Sequence, residues 1–332
     1  MEKIGVIGAG AWGTALAVLA QSAGRQVQIW ARETEVVEAI NSYKENALFL
    51  SGVILPPETQ ATADLSEVVK VDALMLVVPS QYLREICGAI APYLDQSIPV
   101  VICAKGVETG SGALMNEIVE CILPKNHYAV LSGPTFAAEV ARNKPAAVTL
   151  ACHDMEVGRQ LTQALGTSRF RIYQSTDVIG VEIGGAVKNV IAIACGIVEG
   201  RGLGDSARAA IITRGLAEMA RLSRAKGGRP ETLMGLSGIG DLTLTCNAIQ
   251  SRNFSLGVAL GSGQKLDQVL VSRNSVAEGV DTAASIDALA ELLKVDAPIC
   301  SAVNSIVNHG ADTESTISSL LARPVGSDSP LD

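Results

Sequence analysis

A chain of 332 residues, 48% hydrophobic and 18% charged, has room for two domains and for a sizeable core, which at 3% aromatics must be built from Ala, Val, Ile and Leu. Its net charge of -8 argues against a general nucleic-acid binder, whose affinity comes from neutralising phosphates, and leaves room for a small anionic substrate in a local cationic pocket. Seven widely spaced cysteines with no C-x-x-C pair, and only three histidines, argue against a disulfide framework or a metal site and for a reducing, cytoplasmic setting.

Met1-Glu2-Lys3 leads straight into an apolar run, Ile4–Ile7, with no leader peptide read in it. Gly8-Ala9-Gly10-Ala11-Trp12-Gly13 follows, a G-x-G-x-x-G between a strand and a helix expected from Thr14 to Ala23. Gly8, Gly10 and Gly13 allow a tight turn, a close approach to pyrophosphate and close helix–strand packing, so a dinucleotide is expected here, on the helix N-terminus. The second strand, Gln26–Trp30, ends in Ala31-Arg32-Glu33 rather than in the acidic residue usual for NAD. Arg32 facing a 2′-phosphate, with Glu33 on a ribose hydroxyl, predicts that NADP is accepted at least as well as NAD. The other reading is a pair of solvated loop charges.

Near-continuous apolar runs at 73–78, 100–103, 128–131 and 147–150 read as strands covered on both faces, with helical patterns at Leu83–Ile90 and Ser111–Ile122. The prediction is an α/β, doubly wound, mostly parallel sheet. Ligands bind beyond the C-terminal strand ends in such sheets. Those ends carry Lys105, beside Gly106, and the loop Ser132–Ala137 with Gly133, Thr135 and Ala137. Lys105 either polarises a carbonyl or meets an anion there, or simply points to water.

After a last strand signal at Phe170–Tyr173 the pattern turns helical, which places a domain boundary near residue 176. The expected organisation is an α/β domain over 1–176, a helical domain over 177–322 and a frayed tail over 323–332. Gly184–Val198 reads as a helix apolar all round, broken by Lys188 and Asn189, and as too short to span a bilayer. Lys188 shares a face with Gly184, Gly185, Ile191 and Ala192, which leaves room beside it, and burial lowers a lysine pKa, so Lys188 is a candidate proton-transfer group. A lysine that snorkels to solvent is the alternative. Beyond a helix over 207–224, Leu236–Leu242 is a glycine-flanked turn ending in the carboxylate of Asp241, which either approaches a small ligand closely or simply caps the next helix. Ser251, Arg252 and Asn253 stand at a helix start, where they form a phosphate clamp or a plain surface cap. Val276 and Glu278 flank a further loop before a helix.

Six blocks together resemble bacterial NAD(P)-dependent glycerol-3-phosphate dehydrogenases, over Ile4 to about Leu321: Gly8–Gly13, Ala104–Gly106, Ser132–Phe136, Gly185–Asn189, Gly238–Leu242 and Gln250–Asn253. The resemblance implies an N-terminal Rossmann domain and a helical C-terminal domain of the 6-phosphogluconate dehydrogenase type. It implies reversible reduction of dihydroxyacetone phosphate to sn-glycerol 3-phosphate with NAD or NADP, for phospholipid synthesis. Lys188 is then the proton donor or acceptor, and Asp241 orients a lysine or a substrate hydroxyl. Lys105, Gly133, Thr135, Lys188, Asp241, Ser251, Arg252 and Asn253 contact substrate. Ala11, Trp12, Arg32, Lys105, Ala137, Arg252, Val276 and Glu278, with the loop glycines, lie along the cofactor. A homodimer is expected, with no membrane span. Ala11, where the family often has Ser, and Arg201 and Ser206, in a run that usually closes on Asp-Asn, depart from the pattern. A β-hydroxyacid or 6-phosphogluconate type of enzyme and a non-catalytic NAD(P) sensor are the competing readings.

Overall fold

The computed structural model describes residues 1–271 and 278–324. The chain divides into two compact units, Met1–Lys105 with Met115–Val178, and Gly106–Leu114 with Ile179 onward.

The first unit is an eight-stranded sheet in the order β3-β2-β1-β4-β5-β6-β7-β8. Its strands are β1 (Lys3–Ile7), β2 (Gln26–Trp30), β3 (Gln60–Thr62), β4 (Ala73–Leu76), β5 (Val100–Ile102), β6 (Tyr128–Ser132), β7 (Ala146–Cys152) and β8 (Phe170–Ser175). All pairs are parallel except β6–β7. Every residue of β4 and β5 is buried, as central strands covered on both faces require. The covering helices are α1 (Ala11–Ser22), α2 (Thr34–Tyr43), α3 (Leu65–Val68), α4 (Leu83–Ile90), α5 (Met115–Ile122), α6 (Ala137–Ala141) and α7 (Met155–Leu165). The short edge strand β3, only three residues, gave no apolar run to recognise.

The second unit is helical: α8 (Val178–Gly200), α9 (Asp205–Lys226), α10 (Asp241–Asn247), α11 (Arg252–Gly261), α12 (Leu266–Val271), α13 (Glu278–Leu293), α14 (Pro298–His309) and α15 (Thr313–Leu321). Its core is built around α8, where Ile183, Val187, Val190, Ile191 and Ile193 are fully buried. At 23 residues α8 is long and apolar enough to cross a membrane, which corrects the expectation that it is too short; 89% of its most apolar window is buried within the protein, and that burial accounts for its composition.

The segment Gly106–Leu114 also differs from expectation. Residues 111–114 are not the first turn of α5: Val107 bridges Leu114, both are fully buried in the helical core, and Thr109 Oγ1 lies 3.1 Å from Ser285 Oγ. Arg201 ion-pairs with Glu314 of α15 at 2.7 Å, which gives one of the unusual residues a surface role.

Candidate active site

In the α/β unit the glycine loop is shaped as a phosphate site needs. Gly8 has φ +113°, and a Cβ there would lie 2.7 Å from the Val77 carbonyl oxygen. A Cβ at Gly13 would lie 1.8 Å from the Gly8 carbonyl oxygen, so β1 and α1 meet backbone to backbone. At Gly10, the N-cap of α1, a Cβ would meet nothing within 4 Å. The loop is therefore tight against protein at two glycines and open at the third, which fits a pyrophosphate lying over the N-terminus of α1. The helix starts at Ala11 rather than Thr14, so Ala11, Trp12 and Gly13 form its first turn and present its free N–H groups. Arg32 is mostly exposed and pairs with Glu33 at 3.0 Å.

Lys105 follows β5 and is half-buried; its Nζ donates to the Gly133 carbonyl oxygen at 3.4 Å. Thr135 Oγ1 donates to the same oxygen at 3.3 Å. Gly133 has φ +154°, and a Cβ on it would lie 2.8 Å from Val148 Cα, so only glycine lets this loop pass over β7. Three of the residues expected to hold substrate are thus in one cluster, and Ala137 begins α6 beside it.

In the helical unit Lys188 lies on α8 and is 7% exposed. Its Nζ donates to Asp241 Oδ1 at 2.5 Å and to Thr245 Oγ1 at 3.1 Å. Asp241 is fully buried at the start of α10, and Thr245, one turn later on the same face, donates in turn to the Asp241 carbonyl oxygen at 2.6 Å. The amine does not snorkel. Burial alone disfavours an ammonium, but a carboxylate at this distance favours it, and a buried charge must be paired. Of the two groups that Asp241 is expected to orient, a lysine or a substrate hydroxyl, it meets the lysine, 53 positions away, and its charge opposes the lowering expected from burial alone.

Nor is the space beside Lys188 left for a ligand at Gly184. A Cβ there would lie 2.4 Å from the Ser237 carbonyl oxygen, so the turn before Asp241 packs on it. That turn, Leu236–Gly240, is kinked at Gly238, whose φ -102°, ψ -105° is not helical, and a Cβ at Gly238 would collide with the Leu233 backbone. The kink delivers Asp241 to Lys188 on α8.

Ser251 caps α11, its Oγ accepting from the Phe254 N–H at 3.2 Å, and Arg252 and Asn253 form the first turn. Asn253 Oδ1 accepts from the Gly279 N–H at 3.1 Å, so the carboxamide ties α11 to the start of α13 and only its Nδ2 end can donate to an anion. Glu278 is the first residue of α13; Val276 lies outside the described residues. Thr245 is the polar contact that the sequence reading passed over. Its signal was the four-residue spacing from Asp241. Among the described residues no group of His, Cys, Asp and Glu could hold a metal ion.

Comparison with known proteins gives both halves the same assignment. The family described as NAD-dependent glycerol-3-phosphate dehydrogenase N-terminus matches residues 3–158, and its C-terminus counterpart matches 177–318. Glycerol-3-phosphate dehydrogenase [NAD(P)+] of Rhodospirillum rubrum is 57% identical over 98% of this chain and 93% of its own length. The protein of the same name from Parvibaculum lavamentivorans is 54% identical over 98% of both chains. A solved glycerol-3-phosphate dehydrogenase from Coxiella burnetii is 38% identical and superposes with a TM-score of 0.94, covering 97% of this chain and 99% of that one. These matches span the dinucleotide loop, the Lys105 cluster and the Lys188–Asp241 pair alike, and they select one of the three readings left by the sequence: the chain belongs to the NAD-dependent glycerol-3-phosphate dehydrogenase family.

Proposed function

We propose that Lys188 is the proton donor and acceptor in the reversible, NAD(P)H-dependent reduction of dihydroxyacetone phosphate to sn-glycerol 3-phosphate. The observation that carries this reading is the buried cluster of Lys188, Asp241 and Thr245. A bound nicotinamide supplies the hydride to the carbonyl carbon. Lys188 gives a proton to the carbonyl oxygen, so the C=O bond becomes CH–OH with both hydrogens accounted for. Asp241 keeps the amine charged beforehand and Thr245 fixes its direction, which limits the reorganisation needed at the moment of transfer. The reverse reaction uses the same amine, unprotonated, as the base.

Substrate roles are assigned by chemistry. Arg252 and the Nδ2 end of Asn253, with the Ser251 hydroxyl, hold the phosphate; each charge-assisted bond contributes about 1.5–3 kcal/mol. Lys105, Gly133 and Thr135 bind substrate, and Lys105 stabilises negative charge. Ala11, Trp12, Arg32, Lys105, Ala137, Arg252 and Glu278 are assigned to the cofactor, with Arg32 at the 2′-phosphate of NADP. Seven free thiols and a Lys188 helix buried within the protein support a cytoplasmic enzyme, which we take to be a homodimer that supplies glycerol phosphate for phospholipid synthesis.

The test is Lys188→Ala. Turnover followed by cofactor absorbance with dihydroxyacetone phosphate falls about 10²–10⁴-fold, the usual worth of a general acid, while the Kd for NADPH stays within about twofold. A kcat near that of the wild type contradicts the assignment.

A further inference from the structure

Two G-x-x-x-G pairs lie against each other in the helical unit: Gly196 and Gly200 on α8, and Gly257 and Gly261 on α11. A Cβ at Gly196 would lie 2.1 Å from the Phe254 carbonyl oxygen and 2.8 Å from Gly257 Cα. Reciprocally, a Cβ at Gly257 would lie 2.1 Å from the Ile193 carbonyl oxygen and 2.8 Å from Gly196 Cα. One turn on, Gly200 would meet the Val258 carbonyl oxygen at 2.2 Å, and Gly261 that of Ile197 at 2.4 Å. All four obstacles are backbone atoms, which cannot rotate away as a side-chain end can. The two helices therefore touch backbone to backbone over a full turn, closer than any side chain allows.

What these helices carry gives the contact its meaning. Gly196 is two turns, about 12 Å, along α8 from Lys188, and Gly257 is about 7.5 Å along α11 from Arg252. We propose that this glycine contact is a positioning device for the reaction: Gly196, Gly200, Gly257 and Gly261 set the distance from the amine of Lys188 to the Ser251–Asn253 end of α11. The inference rests on the roles given above to Lys188 and Arg252. A methyl group at any of these glycines drives the helices about 1 Å apart, and a displacement of that size far from the chemistry is enough to cost about 10²-fold in rate. None of the four glycines need touch substrate. Asn253, tied through its Oδ1 to Gly279, transmits the same shift to the start of α13.

The experiment is a cycle of Gly257→Ala and Arg252→Ala. Gly257→Ala, with native circular dichroism and a cooperative melt, is expected to raise KM for dihydroxyacetone phosphate about tenfold or more and to leave the Kd for NADPH within about twofold. In the Arg252→Ala background the same substitution raises KM by a clearly smaller factor than in the wild type, because the charged member of the group that it misplaces is already gone. A helix contact that only stabilises the fold lowers the melting temperature and leaves KM alone. A folded Gly257→Ala with wild-type KM, or additive effects in the double variant, overturns the proposal. If instead Arg252→Ala itself leaves KM unchanged, the clamp reading fails, and kcat of Gly257→Ala, lowered or not, decides whether the spacing matters to Lys188. Gly261→Ala, with its slightly longer 2.4 Å approach, is read in the same way should Gly257→Ala not fold. Gly88→Ala, where a Cβ meets nothing within 4 Å, is the control that leaves both constants unchanged. In the wild-type chain, amides of 193–200 and of α11 exchange with common protection; independent opening of α11 overturns the coupling without any variant.

Discussion

Lys105 and Lys188 place the same ammonium group in opposite surroundings. Lys105 stands at a strand end in the α/β unit, half-buried, with a 3.4 Å contact to a neutral carbonyl. Lys188 lies inside the helical unit, with a fully buried carboxylate at 2.5 Å and a hydroxyl at 3.1 Å. The first is held by a loop and can follow a ligand. The second is fixed before any ligand arrives. The difference teaches where charge is free to bind and where it is prepared to react: a strand-end cation remains solvated enough to be exchanged for a substrate contact, while a buried ion pair keeps its proton in one place.

Breaking the buried pair should have the largest effect. Asp241→Asn removes the carboxylate charge 2.5 Å from the Lys188 ammonium, and urea unfolding should show a loss of about 3–5 kcal/mol. Lys105→Ala, in contrast, removes a half-buried, partly solvated cation at a strand end and should cost about 1 kcal/mol or less. Equal losses would erase the distinction between the two regions.

A second buried charge in the helical unit sharpens it. Glu218 on α9 is 1% exposed and accepts from the N–H groups of Ile299 and Cys300 at 2.7 and 3.1 Å. Burial pushes its carboxyl up to about 7, against the pull of those amides, the Cys300 thiol and Arg221. The folded chain then holds an extra proton between the ordinary 4.5 and about 7. The resulting stability is full below the lower value and is lost as pH rises through the upper one, by about 3 kcal/mol. Urea midpoints of the wild type against Glu218→Gln from pH 4.5 to 8 test this: the variant should lack that part of the slope, and parallel curves would contradict it.

Smaller effects follow from the hydroxyl and from the exposed loop. Thr245→Val removes one bond to Lys188 at nearly constant volume, so kcat should fall about tenfold or less, with KM little changed. Arg32→Ala should raise the KM for NADPH several-fold and leave that for NADH unchanged, because an exposed cation paired with Glu33 can add only a charge-assisted contact to a 2′-phosphate. Equal changes for the two cofactors would remove Arg32 from the phosphate site.

The two regions also differ in how far they can be read from the sequence. In the α/β unit the functional groups follow their strands directly: Gly8–Gly13 after β1, Lys105 after β5 and Gly133 after β6. A local motif therefore names both the residue and its place. The antiparallel turn of β7 against β6 has no such local mark, since a buried apolar run looks the same in either direction. In the helical unit Lys188 is legible as a cation in an apolar helix, but its partner Asp241 comes from a separate helix across a kink, and nothing at either position decides between a lysine and a substrate hydroxyl as the group that Asp241 meets. The same holds for Gly184, whose missing side chain makes way for Ser237 rather than for a ligand, and for Val107 and Leu114, which leave the α/β stretch to enter the helical core. Long-range packing decides these, and composition alone does not report it.

The central claim is that the Lys188 amine moves the proton, and chemical rescue of Lys188→Ala tests it most directly. With saturating dihydroxyacetone phosphate and NADPH, the variant alone should turn over about 10²–10⁴-fold more slowly than the wild type and should regain rate with added methylamine or ethylamine, the rate following the acidity of the amine. Turnover near the wild-type rate in the absence of any amine would contradict the account.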